Sequence, residues 1–112
     1  MKMSQENILL ERIKQLVVSG KYRVRIHTIR HMIAEGFYEA NIIETVTGES
    51  RIIENYPDDC RCLILGRFHF KKAAISSLHV VCEYSRSDLI DIVTAYIPQK
   101  PWWVSSTQRG KM

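Results

Sequence analysis

Several features that would assign this protein to a class at once are missing from its sequence. No apolar run approaches the roughly 18 residues that a membrane-spanning helix needs, and the N-terminus lacks the apolar core of a signal peptide. We therefore expect a cytoplasmic protein without membrane association. At 112 residues, the chain is long enough for one hydrophobic core but too short for two.

Cysteine is also scarce, and its spacing argues against disulfides. The sequence has only Cys60, Cys62 and Cys82, which is an odd number. A C-x-C pair on an extended segment places both side chains on one face without favourable disulfide geometry. We therefore interpret the thiols as reduced. Because no C-x-x-C pair occurs, an all-cysteine zinc site is not indicated.

Metal-binding signals are correspondingly weak. His27 and His31 have the i, i+4 spacing that lets two imidazoles share a metal, but Thr28 stands where the zinc-protease motif H-E-x-x-H requires Glu. Possible further ligands are His69, Cys62 and Glu83. No spacing selects one of them, so we predict no metal and no other cofactor. A metal hydrolase remains an alternative of lower rank.

Positive charge is what the sequence has in excess. The formal net charge is +4 and the isoelectric point is about 9.1. A positive surface potential favours polyanionic partners such as RNA, DNA or an acidic protein. The charge does not choose among these partners.

The stretch from residue 21 to residue 32 concentrates the basic and titratable side chains. Its first half alternates with the period of two that is typical of a half-buried strand. The predicted apolar face comprises Tyr22, Val24 and Ile26. The opposite face, without an acidic neighbour in the sequence, comprises Lys21, Arg23, Arg25 and His27.

From His27 onward the period changes to that of a helix. The predicted apolar side comprises Ile29, Met32 and Ile33. The predicted exposed side comprises His27, Arg30 and His31. A strand is therefore expected to lead into a helix, with cationic or titratable groups exposed on both.

The rest of the chain predicts two more helices and a series of strands. One amphipathic helix follows a Ser4 cap and ends near Gly20, and another ends near Gly48. The predicted strands comprise residues 51–55, 61–70, 78–84 and 89–97, with a turn at 56–59. Short connections between them favour antiparallel pairing.

These elements predict an α+β fold in which N-terminal helices pack on a twisted, mainly antiparallel sheet of four to five strands. Residues 1–98 are predicted to form this single domain. Residues 99–112, which show no periodicity, are predicted to be a largely irregular C-terminal tail.

Five short motifs occur in order along the domain. They are His27-x-x-Arg30-x-Met32, Gly48-x-x-x-Ile52-Ile-Glu54-x-Tyr-Pro57, Arg61-Cys-Leu-x-Leu-Gly66, Leu78-His-Val-Val81 and Val93-Thr-Ala-Tyr96-x-Pro98. Together they resemble an uncharacterised prokaryotic domain family grouped with the RelE-like toxins, within the wider barnase, colicin and RelE set of metal-independent ribonucleases. One departure is Tyr38, since similar sequences commonly have Ser or Thr at the cap of the third helix.

The resemblance implies a RelE-like sheet and an endoribonuclease that is the toxin of a type II toxin-antitoxin pair. It also implies a cognate antitoxin protein that covers the active face. Such enzymes cleave RNA without metal because the 2'-hydroxyl of the substrate attacks the neighbouring phosphate, which requires a base, an acid and cations.

The candidate site residues follow from this chemistry. The predicted catalytic residues are His27, Arg30, His79 and Tyr96. The predicted RNA- or phosphate-binding residues are Lys21, Arg23, Arg25, His31, Arg61 and Thr94. Histidine suits either proton-transfer role near neutral pH, while Tyr96 can stack on a base and Thr94 can bind phosphate.

Each of these residues also has a structural interpretation. His27 could cap a helix, Arg30 could be a solvated surface charge, and His79 could be a hydrogen-bonded core histidine between apolar neighbours. Tyr96 could be a core aromatic residue near a strand end. The alternative function is therefore a non-catalytic basic module of the same fold that binds RNA or protein. The oligomeric state is not indicated.

Overall fold

The computed structural model describes residues 4–71, 74–99 and 105–110, except for the side chain of residue 71. Its α-helices are α1 (Gln5–Val18), α2 (Ile26–Glu35) and α3 (Glu39–Thr47). Its strands are β1 (Tyr22–Val24), β2 (Arg51–Tyr56), β3 (Arg61–Lys71), β4 (Ala74–Glu83) and β5 (Ile90–Tyr96). A short 3-10 helix, Pro57–Asp59, forms the predicted turn between β2 and β3. None of the described helices is long and apolar enough to cross a membrane.

The strands form one mixed sheet with the order β1-β5-β4-β3-β2. Three of the four pairings are antiparallel, and β1 pairs with β5 in parallel. The short connections predicted the antiparallel pairs, whereas the parallel pair joins elements from opposite ends of the domain. The predicted α+β fold, with helices packed on a mainly antiparallel sheet, is confirmed.

Helices α1 and α3 cover one face of the sheet and form the core with it. The Ser4 side chain accepts a hydrogen bond from the Asn7 backbone N–H and so caps α1, as predicted. At the other end of the core, α3 approaches β3 closely at Gly66. A Cβ there would lie 2.5 Å from the Thr45 carbonyl oxygen, so only glycine permits this packing distance.

At the start of α3, the Asn41 side chain makes a polar contact with the backbone of the cap residue, Tyr38. Its side-chain oxygen accepts a hydrogen bond of 2.8 Å from the Tyr38 backbone N–H. The departure at Tyr38 therefore leaves the helix in place.

Helix α2 lies along the edge of β5 and not in the core between α1 and α3. Because β1 pairs only with residues 90–92, no strand of the described chain lies beside the rest of β5 on that side, and α2 covers it. The Thr28 hydroxyl donates to the Ile92 carbonyl at 3.0 Å, and the Ile97 backbone N–H donates to Glu35 at 2.7 Å. These two bonds fix the distance between the helix and the strand.

The predicted apolar side of this segment is therefore partly wrong. Ile29 and Ile33 are 41% and 80% exposed, and only Met32 packs against the core. Ile26, predicted to lie on the strand, begins α2 and is 68% exposed. Thr28 faces β5 because its hydroxyl can donate a hydrogen bond to the backbone at the strand edge. The pattern of apolar residues does not reveal this orientation.

The C-terminal tail returns to the sheet at residues 105–110. This segment crosses the sheet face opposite α1 and α3, which we call the second face and which carries the cross-strand neighbours Leu65, His79 and Tyr96. The Ser106 carbonyl accepts a hydrogen bond from His79 at 2.6 Å. The rest of the predicted irregular tail lies largely outside the described residues.

Candidate functional site

A pocket of about 600 Å³ opens between α2, the end of β5 and the 105–110 segment. We call it the histidine pocket. Its polar lining residues are His27, His31, Glu35, Thr94, Tyr96, Gln99 and Arg109. Four of these were predicted site residues, whereas Glu35, Gln99 and Arg109 were not. The shared face of Thr94 and Tyr96, expected from their spacing by two, is found here.

Glu35 holds His31 in one orientation. The Nδ1 atom of His31 lies 2.5 Å from one carboxylate oxygen of Glu35, and the other oxygen accepts the Ile97 backbone N–H. With Nδ1 bonded to a carboxylate, the neutral imidazole carries its proton there and keeps a lone pair on Nε2. A carboxylate-oriented imidazole of this kind is suited to accept a proton.

His27 lies one helical turn before His31 on the same side of α2. The two rings meet edge to face, with centroids 4.9 Å apart. His27 is exposed, whereas His31 is about one-third exposed. The pocket therefore presents two imidazoles close enough to act on one phosphate group.

Tyr96 is held from behind by His79. Their ring centroids are 5.3 Å apart, and the hydroxyl lies 3.4 Å from Nδ1 of His79. Because a carbonyl only accepts, His79 must donate from Nε2 to Ser106, and Nδ1 is left as the acceptor for Tyr96. Burial lowers the pKa of His79, which favours this neutral form.

His79 is therefore a positioning residue and does not line the pocket. Its side chain is fully buried, so it orients Tyr96 and anchors the tail without access to a substrate. This matches the structural interpretation of His79 more closely than the predicted catalytic one.

Thr94 contributes a polar atom that lacks a partner. Its Oγ1 is buried and makes no hydrogen bond to any described residue. A buried hydroxyl without a partner is uncommon, and Thr94 lines the pocket beside Tyr96. A bound polar ligand could satisfy it.

Arg109 reaches the pocket from the tail and is fixed by Glu54. Its Nε and Nη2 atoms lie 2.7 and 2.8 Å from the two carboxylate oxygens, a bidentate pair. This pairing raises the pKa of Arg109 and lowers that of Glu54. Tyr56 also donates to Glu54. This segment shows no periodicity, so Arg109 could not be identified from the sequence.

All three of the predicted phosphate-binding arginines are engaged elsewhere. Arg23 makes a bidentate pair with Asp91 at 2.7 and 3.1 Å, and Arg25 approaches the same carboxylate at 3.0 Å. Arg25 and Arg61 also lie 3.5 and 3.8 Å from Glu83. The basic face that had no acidic neighbour in the sequence therefore acquires two across the sheet.

The remaining predicted cations lie outside the pocket. Lys21 and Arg30 are both exposed, and neither is among the described residues that line it. His27 and Arg30 were expected to grip one phosphate together. The structure places His31, Glu35 and Arg109 beside His27 instead.

The Asp91 cluster predicts a pH-dependent contribution to stability. Hydrogen bonds from Arg23 and then Arg25 lower the pKa of Asp91 from 3.8 to about 2. The unfolded chain thus binds a proton more readily below pH 4, so stability is complete above that pH and is lost as the pH falls towards 2. Asp91→Asn should lower the free energy of unfolding by about 2 kcal/mol at pH 7, measured by urea denaturation.

Asp88→Asn is the matched control for that measurement. Asp88 also forms a bidentate pair with an arginine, Arg86, but its side chain is 66% exposed. Surface pairs contribute little, so this variant should unfold like the wild type at pH 7. Equal losses in both variants, or an Asp91→Asn difference that persists undiminished at pH 2, would contradict the assignment.

No group of three or more His, Cys, Asp or Glu side chains that could hold a metal occurs within the described ranges. The further ligands considered from the sequence are paired with other residues or buried. His69 pairs with Glu44, Cys62 is fully buried, and Glu83 faces arginines.

Comparison with known proteins identifies the family of the chain. No significant match is found among curated proteins or among solved structures. Residues 1–97, which include every helix and strand of the described chain, match a family described as a domain of unknown function, DUF4258. The match ends before Arg109, so that residue lies outside the shared domain. The protein is a member of the DUF4258 family.

Proposed function

We propose that this protein is a metal-independent endoribonuclease that cleaves RNA through attack by the 2'-hydroxyl. The observation that carries the proposal is the Glu35–His31 pair, which faces a pocket that also presents His27, Tyr96 and Arg109. A base, an acid and a cation are the groups that this reaction needs.

In this proposal His31 is the general base. Its Nε2 accepts the proton of the ribose 2'-hydroxyl as the 2'-oxygen forms a bond to phosphorus. Glu35 stabilises the imidazolium that results, because its carboxylate remains bonded to Nδ1. The sequence-based prediction gave His31 only a phosphate-binding role and gave the proton-transfer role to His27.

His27 is the general acid that completes the exchange. As the bond from phosphorus to the 5'-oxygen breaks, His27 in its protonated form donates a proton to that oxygen. The products are a 2',3'-cyclic phosphate and a 5'-hydroxyl end. No water, metal or other reactant is consumed in this step.

Arg109 and Thr94 bind the phosphate in this arrangement. The Arg109 guanidinium is held in a fixed direction by Glu54, which lowers the entropic cost of using it as a clamp. The Thr94 hydroxyl, which has no hydrogen-bond partner in the described part of the chain, can donate to a phosphate oxygen. Tyr96, held by His79, provides a ring on which a base can stack.

We further propose that the enzyme acts in the cytoplasm as a RelE-like toxin of a type II toxin-antitoxin system. This rests on the five sequence motifs and is supported by a mainly antiparallel sheet flanked by helices. Its partners are then RNA and a cognate antitoxin. Expression without the neighbouring gene should arrest growth of the host, and co-expression of that gene should relieve the arrest.

The direct test is incubation of the purified protein with RNA in EDTA, beside DNA of the same sequence. We expect the RNA to be cut and the DNA to remain intact, because only RNA has the nucleophile. Cleavage of both, or loss of RNA cleavage in EDTA that added metal restores, would refute the proposed mechanism.

The second candidate is a non-catalytic binding module of the same fold. It is favoured by the exposed apolar side chains on α2, since Ile26 and Ile33 are 68% and 80% exposed and such surfaces often contact proteins. It predicts salt-sensitive binding of RNA or of a protein without any cleavage product. The EDTA experiment separates the two candidates.

A further inference from the structure

A second pocket, of about 680 Å³, lies at the start of β2. We call it the arginine pocket. Its charged lining residues are Lys14, Glu49, Arg51 and Arg67. Three of the four are cations, and they come from α1, β2 and β3, so the fold assembles a positive site that no single stretch of sequence contains.

The cations of this pocket make few or weak hydrogen bonds and ion pairs with other described residues. The Lys14 ammonium donates to the Gly48 carbonyl at 2.9 Å, which uses one of its three N–H bonds. Arg67 is 3.8 Å from Glu49, whose side chain is 95% exposed, so this pair is weak. Arg51 makes no ion pair with a described residue. This differs from Arg23 and Arg25, which share the buried carboxylate of Asp91.

The arginine pocket and the histidine pocket lie towards opposite edges of the second face of the sheet. Arg51, Leu65, His79 and Tyr96 are cross-strand neighbours on four adjacent strands. With strands about 4.8 Å apart, Arg51 and Tyr96 are separated by about 14 Å. The 105–110 segment links the pockets, since Ser106 lines one and Arg109 lines the other.

We infer that the arginine pocket binds a second phosphate of the same single-stranded RNA that the histidine pocket cleaves. The inference rests on the proposed function. The distance between the pockets requires a substrate longer than a dinucleotide, and Leu65 gives the arginine pocket an apolar wall beside its cations. Arg51 and Arg67 supply the phosphate contacts, and Glu49 opposes them.

The test uses the full-length protein and an RNA of about twelve nucleotides with 2'-O-methyl groups, which cannot be cleaved by 2'-hydroxyl attack. Its affinity is measured by fluorescence anisotropy at several salt concentrations. Arg51→Ala/Arg67→Ala should lower the binding constant about tenfold. The plot of the log of the binding constant against the log of the salt concentration should also become less steep, by about 1.4. Glu49→Gln should strengthen binding about twofold, because the opposing charge is gone.

Arg12→Ala/Arg86→Ala is the control, since it removes the same charge from two positions that do not line either pocket. It should change affinity less than twofold. An Arg51→Ala/Arg67→Ala protein that binds like the wild type, or no worse than the control, would overturn the inference.

Cleavage assays separate this inference from the proposed function. With unmodified RNA, Arg51→Ala/Arg67→Ala should lower kcat/KM about tenfold for the long substrate and leave a dinucleotide unchanged. If the wild type cuts no RNA but the binding difference persists, the nuclease proposal fails and the phosphate site stands. If cleavage occurs and both substrates respond equally, the second site is refuted and the nuclease stands.

Discussion

Replacing His31 with alanine is expected to lower the rate of RNA cleavage by about 10²- to 10⁴-fold, the range that a positioned general base contributes. The Nε2 atom of His31 is the proposed proton acceptor, and alanine leaves nothing in its place. The fold should survive, because the ring is partly exposed and its hydrogen bond to Glu35 lies at the pocket wall. Single-turnover cleavage of a labelled RNA measures the effect.

The chain offers a matched control in His69. Its Nδ1 lies 2.5 Å from a carboxylate oxygen of Glu44, the same distance as in the His31 pair, but it does not line the histidine pocket. His69→Ala should therefore cleave RNA at the wild-type rate. If both alanine variants lose activity equally, or if His31→Ala loses none, His31 is not the base.

Replacing Arg109 with alanine is expected to lower kcat by about 10²- to 10³-fold, as loss of a preorganised donor to a developing charge does in other enzymes. Glu54 holds the guanidinium through two hydrogen bonds. Arg109→Lys should recover only part of the loss, because an ammonium keeps the charge but not the bidentate geometry. The measurement is kcat and KM on a single RNA substrate.

Arg86→Ala controls for the loss of one positive charge and one bidentate pair. Arg86 pairs with Asp88 in an exposed turn away from the pocket. Its replacement should leave kcat unchanged. An Arg109→Ala protein that cleaves like Arg86→Ala would show that the tail does not take part in the reaction.

The sequence predicted the elements well where their signals are local. Apolar patterns and turn residues located the helices and strands of the described chain, and Ser4 and Gly48 marked helix ends. The largest error is at β4, which begins at Ala74 and not at the predicted residue 78. The orientation of α2 was harder to predict from the sequence. The spacing of Ile29 and Ile33 predicted that they lie on a buried side. The helix instead packs on the edge of β5, where the Thr28 hydroxyl donates to the Ile92 carbonyl.

The candidate site was predicted only in part, because its chemistry depends on contacts distant in sequence. His27 and His31 were identified from the helical period of their segment, and Thr94 and Tyr96 from their spacing of two on the last strand. Glu35 had a usable signal in its i, i+4 spacing from His31, which positive charge alone does not reveal.

Other contacts of the candidate residues could not be predicted, because the nearby sequence does not indicate them. Arg23 and Arg25 looked free because Asp91, their partner, is more than 60 residues away in the chain. Arg109 belongs to a segment without periodicity that only the folded sheet brings near Glu54. Charge along a strand therefore indicates a binding face only when the neighbouring strands are also known.

The chemical identity of the cleaved ends tests the central claim most directly. A defined RNA is incubated in EDTA with the wild type or His31→Ala, and the fragments are analysed by mass spectrometry. The account predicts 2',3'-cyclic phosphate and 5'-hydroxyl ends from the wild type and almost none from the variant. Fragments with 3'-hydroxyl and 5'-phosphate ends, or an RNA that remains intact with the wild type, would contradict it.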